Sequence, residues 1–240
     1  MNRRAHVCLV LLAGASGAVD GLAFTVLGTV FAGVMTGNLV LLGVSAGGGD
    51  AADVAAPLYA LGGYALGAAL AALVCRGAPA RSGGSGWPGR VVACLAGQAA
   101  LLGFVAVVCA VLDGRPAGVW RTVLLVVSAL AMGGQSGAMV AAGASPTTYF
   151  TGTLTTLVTG LVDGSGRGAG QVWGAARLLA VAGGAACAVA VHRGAPVWAF
   201  VPPVVLTAAA VLCQKPAHRL RTAGTTVHEN PLRDTHDGRH

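Results

Sequence analysis

The stretch GVMTGNLVLLG, from Gly33 to Gly43, places a small polar cluster, Thr36-Gly37-Asn38, inside strongly apolar sequence. A second stretch, YFTGTLTTLVTG from Tyr149 to Gly160, repeats the pattern. The segments that begin at these clusters, Thr36–Ala46 and Thr151–Val162, are too short to cross a bilayer, which takes about 20 residues of helix. Polar groups are tolerated within a membrane where protein atoms satisfy them. We therefore expect two short helices that enter the membrane and return to the side they came from.

The overall composition indicates a membrane protein. Of the 240 residues, 55% are hydrophobic and 10% are charged, whereas soluble domains carry roughly a quarter charged residues. The net charge of +7 does not indicate a nucleic-acid partner, because the basic residues lie between apolar runs and in the tail, without interleaved aromatic residues. The six cysteines are scattered singly, with no histidine at ligand spacing, so we expect no metal and no cofactor. The expected partner is the lipid bilayer.

Six apolar runs are long enough to span that bilayer. They are residues 6–28, 54–75, 91–112, 118–142, 171–192 and 196–213. The first run has some features of a secretory signal, but the sequence stays apolar beyond it, so we predict an uncleaved first span. The predicted fold is an all-α polytopic membrane protein with six transmembrane helices and two short re-entrant half-helices.

The distribution of basic residues predicts the orientation of these spans. With six crossings, both termini are cytoplasmic and most of the arginines share that side. The residues on that side are Arg3, Arg4, Arg76, Arg81, Arg90, Arg167, Lys215, Arg219, Arg221, Arg233 and Arg239. If the short segments also crossed, the Arg76–Arg90 loop would face outward and Asp50 and Asp53 inward. We therefore predict a single transmembrane domain, residues 1–213, and a disordered cytoplasmic tail, residues 214–240.

The two halves of this domain match each other at an offset of 115 residues. Thr36 meets Thr151, Gly37 meets Gly152, and Asp20 meets Gln135. The repeats cover about residues 5–112 and 117–213. Because three crossings separate them, the second is upside down relative to the first. This 3+3 inverted repeat is typical of secondary transporters.

In such transporters the interrupted helices meet near the membrane midplane and bind the solute there. Free N–H groups and the positive end of the helix dipole at each half-helix N-terminus favour a small polar or anionic solute. The expected binding residues are Thr36, Gly37, Asn38, Gln135, Ser136, Thr151, Gly152 and Thr153. The alternative is that the two polar clusters, Thr36-Gly37-Asn38 and Thr151-Gly152-Thr153, are plain caps on re-entrant turns and bind nothing.

Asp20 is the most informative single residue. A carboxylate at the centre of a span costs about 2.5–3.5 kcal/mol on insertion scales, so it should face the protein interior and have a role there. One role is proton or cation coupling of transport. The other is a structural hydrogen bond to Gln135, Ser136 or backbone groups freed by the helix interruption. The sequence leaves both open.

These same residues carry a resemblance to a known family. The segments VDGLAF, VMTGNLVLLG, GGQSGAM and TTYFTGTLTTL make the chain similar, over about residues 5–212, to the YoaK family. The resemblance implies a six-span protein of the bacterial inner membrane and supplies no substrate, since the defining domain has no known function. The chain departs from the family at Gln135–Gly137, where Gln-Asn-Ala is typical. That departure puts in doubt a specific amide role at Ser136.

Other functional classes fit the sequence less well. The six long spans contain no His-Glu-x-x-His, Gly-x-Ser-x-Gly or nucleotide-binding motif and no paired carboxylates, so we do not expect an enzyme. A channel with opposed half-helices and a membrane scaffold remain alternatives. Small residues at helical spacing in GGYALGAALA, Gly62–Ala71, support close helix packing within the fold or in a homo-oligomer.

Overall fold

The computed structural model describes residues 3–48, 51–77, 87–144, 150–163 and 168–214, of which the side chains of residues 51–53 and 169 are left aside. The described residues form helices and turns, with no strand among them. The helices are α1 (Arg3–Leu22), which continues as a π-helical turn (Ala23–Gly28), α2 (Met35–Gly48), α3 (Ala51–Cys75), α4 (Gly89–Val111), α5 (Gly118–Ala141), α6 (Phe150–Val162), α7 (Ala169–Gly194), a 3₁₀ turn (Pro196–Trp198) and α8 (Val201–Gln214).

Six of these helices are long and apolar enough to cross a membrane, as the sequence predicts. The largest difference from the predicted boundaries is at the start of the first span, residue 3 against residue 6. The two short apolar helices, α2 and α6, coincide with the two short segments. The tail beyond residue 214 and the predicted loop charges at Asp50, Arg81 and Arg167 lie outside the described residues.

The first span runs opposite to α5 and α8. Gln135 of α5 donates a hydrogen bond to the carbonyl of Leu12 (3.4 Å), while the guanidinium of Arg121 at the start of α5 lies beside Gly28. The thiol of Cys8 lies 3.5 Å from the carbonyl of Ala210 near the end of α8. The two ends of the described chain therefore lie on the same face.

Glycines allow two pairs of long helices to come into backbone contact. A Cβ at Gly17 would overlap the carbonyl of Val181, and a Cβ at Gly184 would overlap the carbonyl of Gly14, so the backbones of α1 and α7 touch. The Cβ position of Gly14 also faces Ala180 and that of Gly21 faces Ala185, so the contacting residue numbers rise together along α1 and α7 and the two helices are parallel. Close backbone approach through small residues is the usual packing of membrane helices.

The contact between α3 and α5 has the same design. A Cβ at Gly67 would overlap the carbonyl of Leu130, and a Cβ at Gly133 would overlap the carbonyl of Tyr64. The Cβ position of Gly63 faces Val126 and that of Gly137 faces Ala68, so these helices are also parallel to each other. Consequently α1, α4 and α7 run one way, and α3, α5 and α8 run the other.

The short helices pack on different partners. Helix α2 lies on α3 and α6 lies on α7, while α4 and α8 pack on each other and cover α5 and α1. Among the described residues, α2 and α6 share no substantial packing contact. This differs from the prediction of one shared pocket between the two half-helix N-termini. The reason lies in the packing: α2 lies on α3, which contacts α5, and α6 lies on α7, which contacts α1, so the short helices lie beside different helix pairs.

Candidate functional site

The chain breaks sharply after the first span. The π-helical turn ends at Gly28, whose φ of 143° suits glycine. Thr29 follows in the left-handed region with a φ of 58°, which is uncommon for a residue with a side chain. Its N–H donates to the carbonyl of Phe24 at 3.1 Å and closes the turn. Residues 29–34 then lead back to the start of α2.

Asp20 holds this returning segment. The N–H of Gly33 donates to its Oδ1 at 2.6 Å, and the carboxylate is buried. The backbone amides of Ala32 and Val34 interact with the same carboxylate. These free amides lie just ahead of the α2 N-terminus, where the helix dipole favours negative charge. Asp20 therefore bonds backbone groups freed by the interruption, which is the structural role that the sequence left open.

Asn38 fixes the same segment from the other side. Its Oδ1 accepts from the N–H of Phe31 at 2.9 Å, and its Nδ2 donates to the carbonyl of Phe31 at 2.6 Å. Asn38 is fully buried. A Cβ at Gly37 would lie 2.9 Å from the Phe31 ring, so any other residue there would displace that ring. Within the first polar cluster, two residues thus shape the loop, while Thr36 is exposed.

Gln135, which corresponds to Asp20 in the second half, has different hydrogen-bond partners. Gln135 is fully buried, accepts a hydrogen bond from Nε2 of Gln98 in α4, and donates to the carbonyl of Leu12 in α1. It therefore joins three long helices. Ser136 is also buried beside it in α5. The sequence reasoning did not select Gln98, although it is the single amide side chain in the third span.

The second polar cluster forms the first turn of α6, as predicted. Thr151 is exposed, and Gly152 and Thr153 are partly buried. The hydroxyls of Thr155 and Thr156 donate to the carbonyls of Thr151 and Gly152, at 3.0 and 2.9 Å. Such bonds satisfy the hydroxyls within the helix itself. Residues 145–149, which precede this turn, lie outside the described part of the chain.

A cleft of about 600 Å³ lies between parts of α6 and α7. Arg177 lines it together with Gly152, Thr153, Thr156 and Gln171. Arg177 is half-buried within a span, and its Nε has no hydrogen-bond partner. Intramembrane cations of this kind usually mark functional sites. Sequence analysis did not select Arg177, because its position beside the first turn of α6 depends on how α6 packs on α7.

His6 adds a second basic group near this cleft. Its ring stacks on Trp173 of α7, with centroids 4.8 Å apart and planes 9° from parallel. It is close enough to Arg177 to interact electrostatically, and its Nδ1 has no hydrogen-bond partner. The cleft therefore combines an N-terminal helix turn, a guanidinium and an adjacent imidazole, which together favour an anion. No group of three metal-ligating side chains occurs in the described ranges.

A second cleft, of about 660 Å³, lies at the other end of the first span. It is bounded by the π-helical turn, α2, α3 and the start of α5. Its polar lining includes Thr29, Ser45, Tyr59, Arg121 and Thr122. Thus each short helix borders its own cleft, and an arginine lies in each.

Comparison with known proteins places the chain in a family. Residues 8–213 match the family described as "Protein of unknown function (DUF1275)". The chain belongs to this family. It is also similar to the UPF0700 transmembrane protein YoaK of Bacillus subtilis (strain 168), with 35% identity over 164 residues, 68% of each chain. No solved structure matches. The predicted relation to the YoaK family is therefore confirmed, and the chain is a multi-pass membrane protein.

Proposed function

We propose that this protein is a secondary transporter of a small anionic solute, built as a 3+3 inverted repeat in the bacterial inner membrane with both termini cytoplasmic. The observation that carries the proposal is the pair of basic clefts at opposite ends of the first span, one with Arg177 and one with Arg121. Carriers need a solute path that can open alternately to each side.

The packing of the helices supports the repeat. The repeat pairs α1 with α5, α2 with α6, α3 with α7 and α4 with α8. Under this pairing the α3–α5 contact corresponds to the α7–α1 contact. The packing of α4 on α5 likewise corresponds to that of α8 on α1, and the packing of α2 on α3 to that of α6 on α7. Since α1 and α5 run in opposite directions, the halves are inverted. Neither α2 nor α6 then supplies a crossing, which supports re-entrant half-helices.

The two clefts correspond at the same 115-residue offset. Leu41, Ala55, Ala56 and Tyr59 line one, and their counterparts Thr156, Gly170, Gln171 and Gly174 line the other. His6, beside Arg177, is the counterpart of Arg121. Two related clefts at opposite ends of the first span support a carrier with alternating access, whereas a channel would need one continuous pore.

The difference between the half-helices indicates where the solute binds. Just before α2, the carboxylate of Asp20 accepts from the N–H of Gly33 and interacts with the amides of Ala32 and Val34. At the start of α6, the described residues nearby are Gly152, Thr153 and the cation Arg177. We propose that a carboxylate or phosphate group of the solute takes, at α6, the place that Asp20 takes at α2.

Transport assays in proteoliposomes test this site. We expect saturable uptake of one or more radiolabelled small carboxylates or inorganic phosphate by the wild type. Arg177→Gln should reduce that uptake by about tenfold or more, because charge-assisted hydrogen bonds are worth about 1.5–3 kcal/mol. Arg177→Lys should retain part of it. Arg193→Gln, at the exposed end of the same helix, is the matched control. Unsaturable flow would indicate a channel, and no flow of any probe a scaffold.

Asp20 is the proposed coupling residue. Its protonation would weaken its hold on Gly33 and loosen the segment before α2. In Asp20→Asn the amide oxygen can still accept from Gly33, but the position no longer titrates. We expect uptake to persist in this variant and to lose its pH dependence. Unchanged pH dependence of uptake would eliminate proton coupling through Asp20.

Accessibility labelling tests the inverted architecture. Single cysteines replace Gly48, Gly89 or Gly168 in a cysteine-free background; a Cβ at each of these positions meets open space. With re-entrant α2 and α6, position 48 should react from one side of the membrane and positions 89 and 168 from the other. Labelling of positions 48 and 168 from the same side would rule out the inverted repeat.

A further inference from the structure

We propose that the cleft between α3, α4 and α5 is an intramembrane binding site for an apolar molecule that carries a hydroxyl group, recognised by Gln98. The cleft has a volume of about 530 Å³, within the usual range for small-molecule sites. It is separate from the two basic clefts and does not depend on the transport proposal.

The recognition element is an unpartnered buried oxygen. Gln98 lines the cleft, is 2% exposed, and its Oε1 has no hydrogen-bond partner. Its amide orientation is fixed by its neighbours: Gln135 donates to the carbonyl of Leu12, so Gln135 must accept from Nε2 of Gln98. The Oε1 therefore remains as an acceptor. Leaving a buried acceptor unmatched is costly, which favours a ligand with one donor.

The rest of the lining is apolar and accessible from the bilayer. Leu70, Val74 and Phe104 line the cleft and are half-exposed on the lipid-facing surface. Helices α3 and α4 meet near the end of α3 and the start of α4, where the sulfurs of Cys75 and Cys94 lie 3.8 Å apart. From there the cleft extends between the two helices, towards Gly67 in α3 and Phe104 in α4. A buried water usually needs at least two polar partners, and Gln98 is the one amide, hydroxyl or charged side chain of the lining. A purely alkyl ligand would leave Oε1 unmatched.

Photo-crosslinking tests the site with defined probes. The full-length protein is placed in phosphatidylcholine nanodiscs, because that lipid has no hydrogen-bond donor. It is labelled with a diazirine derivative of dodecanol or with the matching methyl ether, and crosslinks are mapped by mass spectrometry. We expect the alcohol to label the α3, α4 and α5 residues of the cleft about threefold or more above the ether, the ratio expected for one hydrogen bond. Equal labelling by both probes, or none, would overturn the proposal.

Two glycine variants make the test independent of Gln98. Gly97 lines the cleft and Gly103 does not; both are in α4, and a Cβ at either meets nothing within 4 Å. Gly97→Leu should fill the cleft and reduce labelling by the alcohol at least threefold relative to wild type, whereas Gly103→Leu should leave it unchanged. Gln98→Leu should remove the preference for the alcohol over the ether. If Gln98→Leu fails to fold because Gln135 loses its donor, the glycine pair decides, and unchanged labelling in Gly97→Leu refutes the site.

Discussion

Residues 20–47 and 135–162 match at an offset of 115 residues, yet their polar side chains have different partners. In the first segment, Asp20 and Asn38 bond the backbone just ahead of α2. In the second, Gln135 bonds side-chain and backbone groups of other helices. A carboxylate at position 20 neutralises a helix N-terminus within its own segment, whereas an amide at position 135 cannot. The comparison shows that two segments with similar helices can differ in charge at the start of the short helix: among the described residues, the first has a carboxylate there and the second does not.

This difference concerns polar chemistry and not packing. The α1–α7 and α3–α5 contacts both depend on glycines that bring backbones together. Variants of these glycines should therefore affect both halves equally, while variants of Asp20, Asn38 and Gln135 should affect them differently.

The largest effect should come from filling a glycine contact. A side chain at Gly184 would overlap the carbonyl of Gly14, whereas one at the neighbouring Gly183 meets nothing within 4 Å. We expect Gly184→Leu to abolish recovery of monodisperse protein, because overpacked backbones cannot relax around a large side chain. Gly183→Leu should purify normally. Size-exclusion chromatography compares them, and the pair Gly133→Leu and Gly62→Leu repeats the comparison for α5 and α3. Normal recovery of Gly184→Leu would show that α1 and α7 are not in backbone contact.

The next largest effect should come from placing a carboxylate in the second half. In Gln135→Glu an oxygen replaces Nε2 and faces the carbonyl of Leu12. A charge at the centre of a span costs about 2.5–3.5 kcal/mol, and about 1 kcal/mol shifts the melting temperature of a chain this size by about 2–4 °C. We therefore expect a loss of roughly 5–14 °C, measured in detergent against Gln135→Met as an uncharged control. Equal melting temperatures for the two variants would mean that position 135 tolerates a carboxylate as position 20 does.

Asn38 should matter more to stability than Thr151, an exposed threonine of the second polar cluster. Asn38→Ala leaves both backbone polar groups of Phe31 without their partner, at about 1–3 kcal/mol for a buried unsatisfied group. Thr151→Ala, on the exposed surface of α6, should stay within about 0.5 kcal/mol of wild type. Hydrogen exchange at Phe31 should increase in Asn38→Ala and remain unchanged in Thr151→Ala. A protected Phe31 amide in Asn38→Ala would show that other contacts hold the loop.

Sequence analysis predicted the spans and the two short helices because apolar length and interruption by polar residues are local properties. The hydrogen-bond partners of Asp20 could not be predicted. Its bond to Gly33 forms because the chain folds back until residue 33 lies beside residue 20, which is a property of the tertiary structure. The separate clefts were not predicted. With 38 glycines distributed along the chain, many helix faces are smooth enough to pack, and periodicity does not select among them. Arg177 was visible as a cation in a span, but its surroundings come from the α6–α7 contact.

The smallest change in stability should come from Asp20→Asn, and it separates the two halves most sharply. The Asn38 bonds still hold the loop in this variant, and an amide oxygen at position 20 can accept from Gly33. Removing the charge also removes the cost of keeping a carboxylate within a span. These effects oppose each other, so we expect a melting temperature within about 3 °C of wild type, in contrast to the loss in Gln135→Glu. Asp20→Ala, which removes the acceptor, should be less stable than Asp20→Asn. If instead Asp20→Asn is the less stable of the two, the negative charge itself holds the α2 N-terminus, and neutralisation of that helix end matters more than the hydrogen bond.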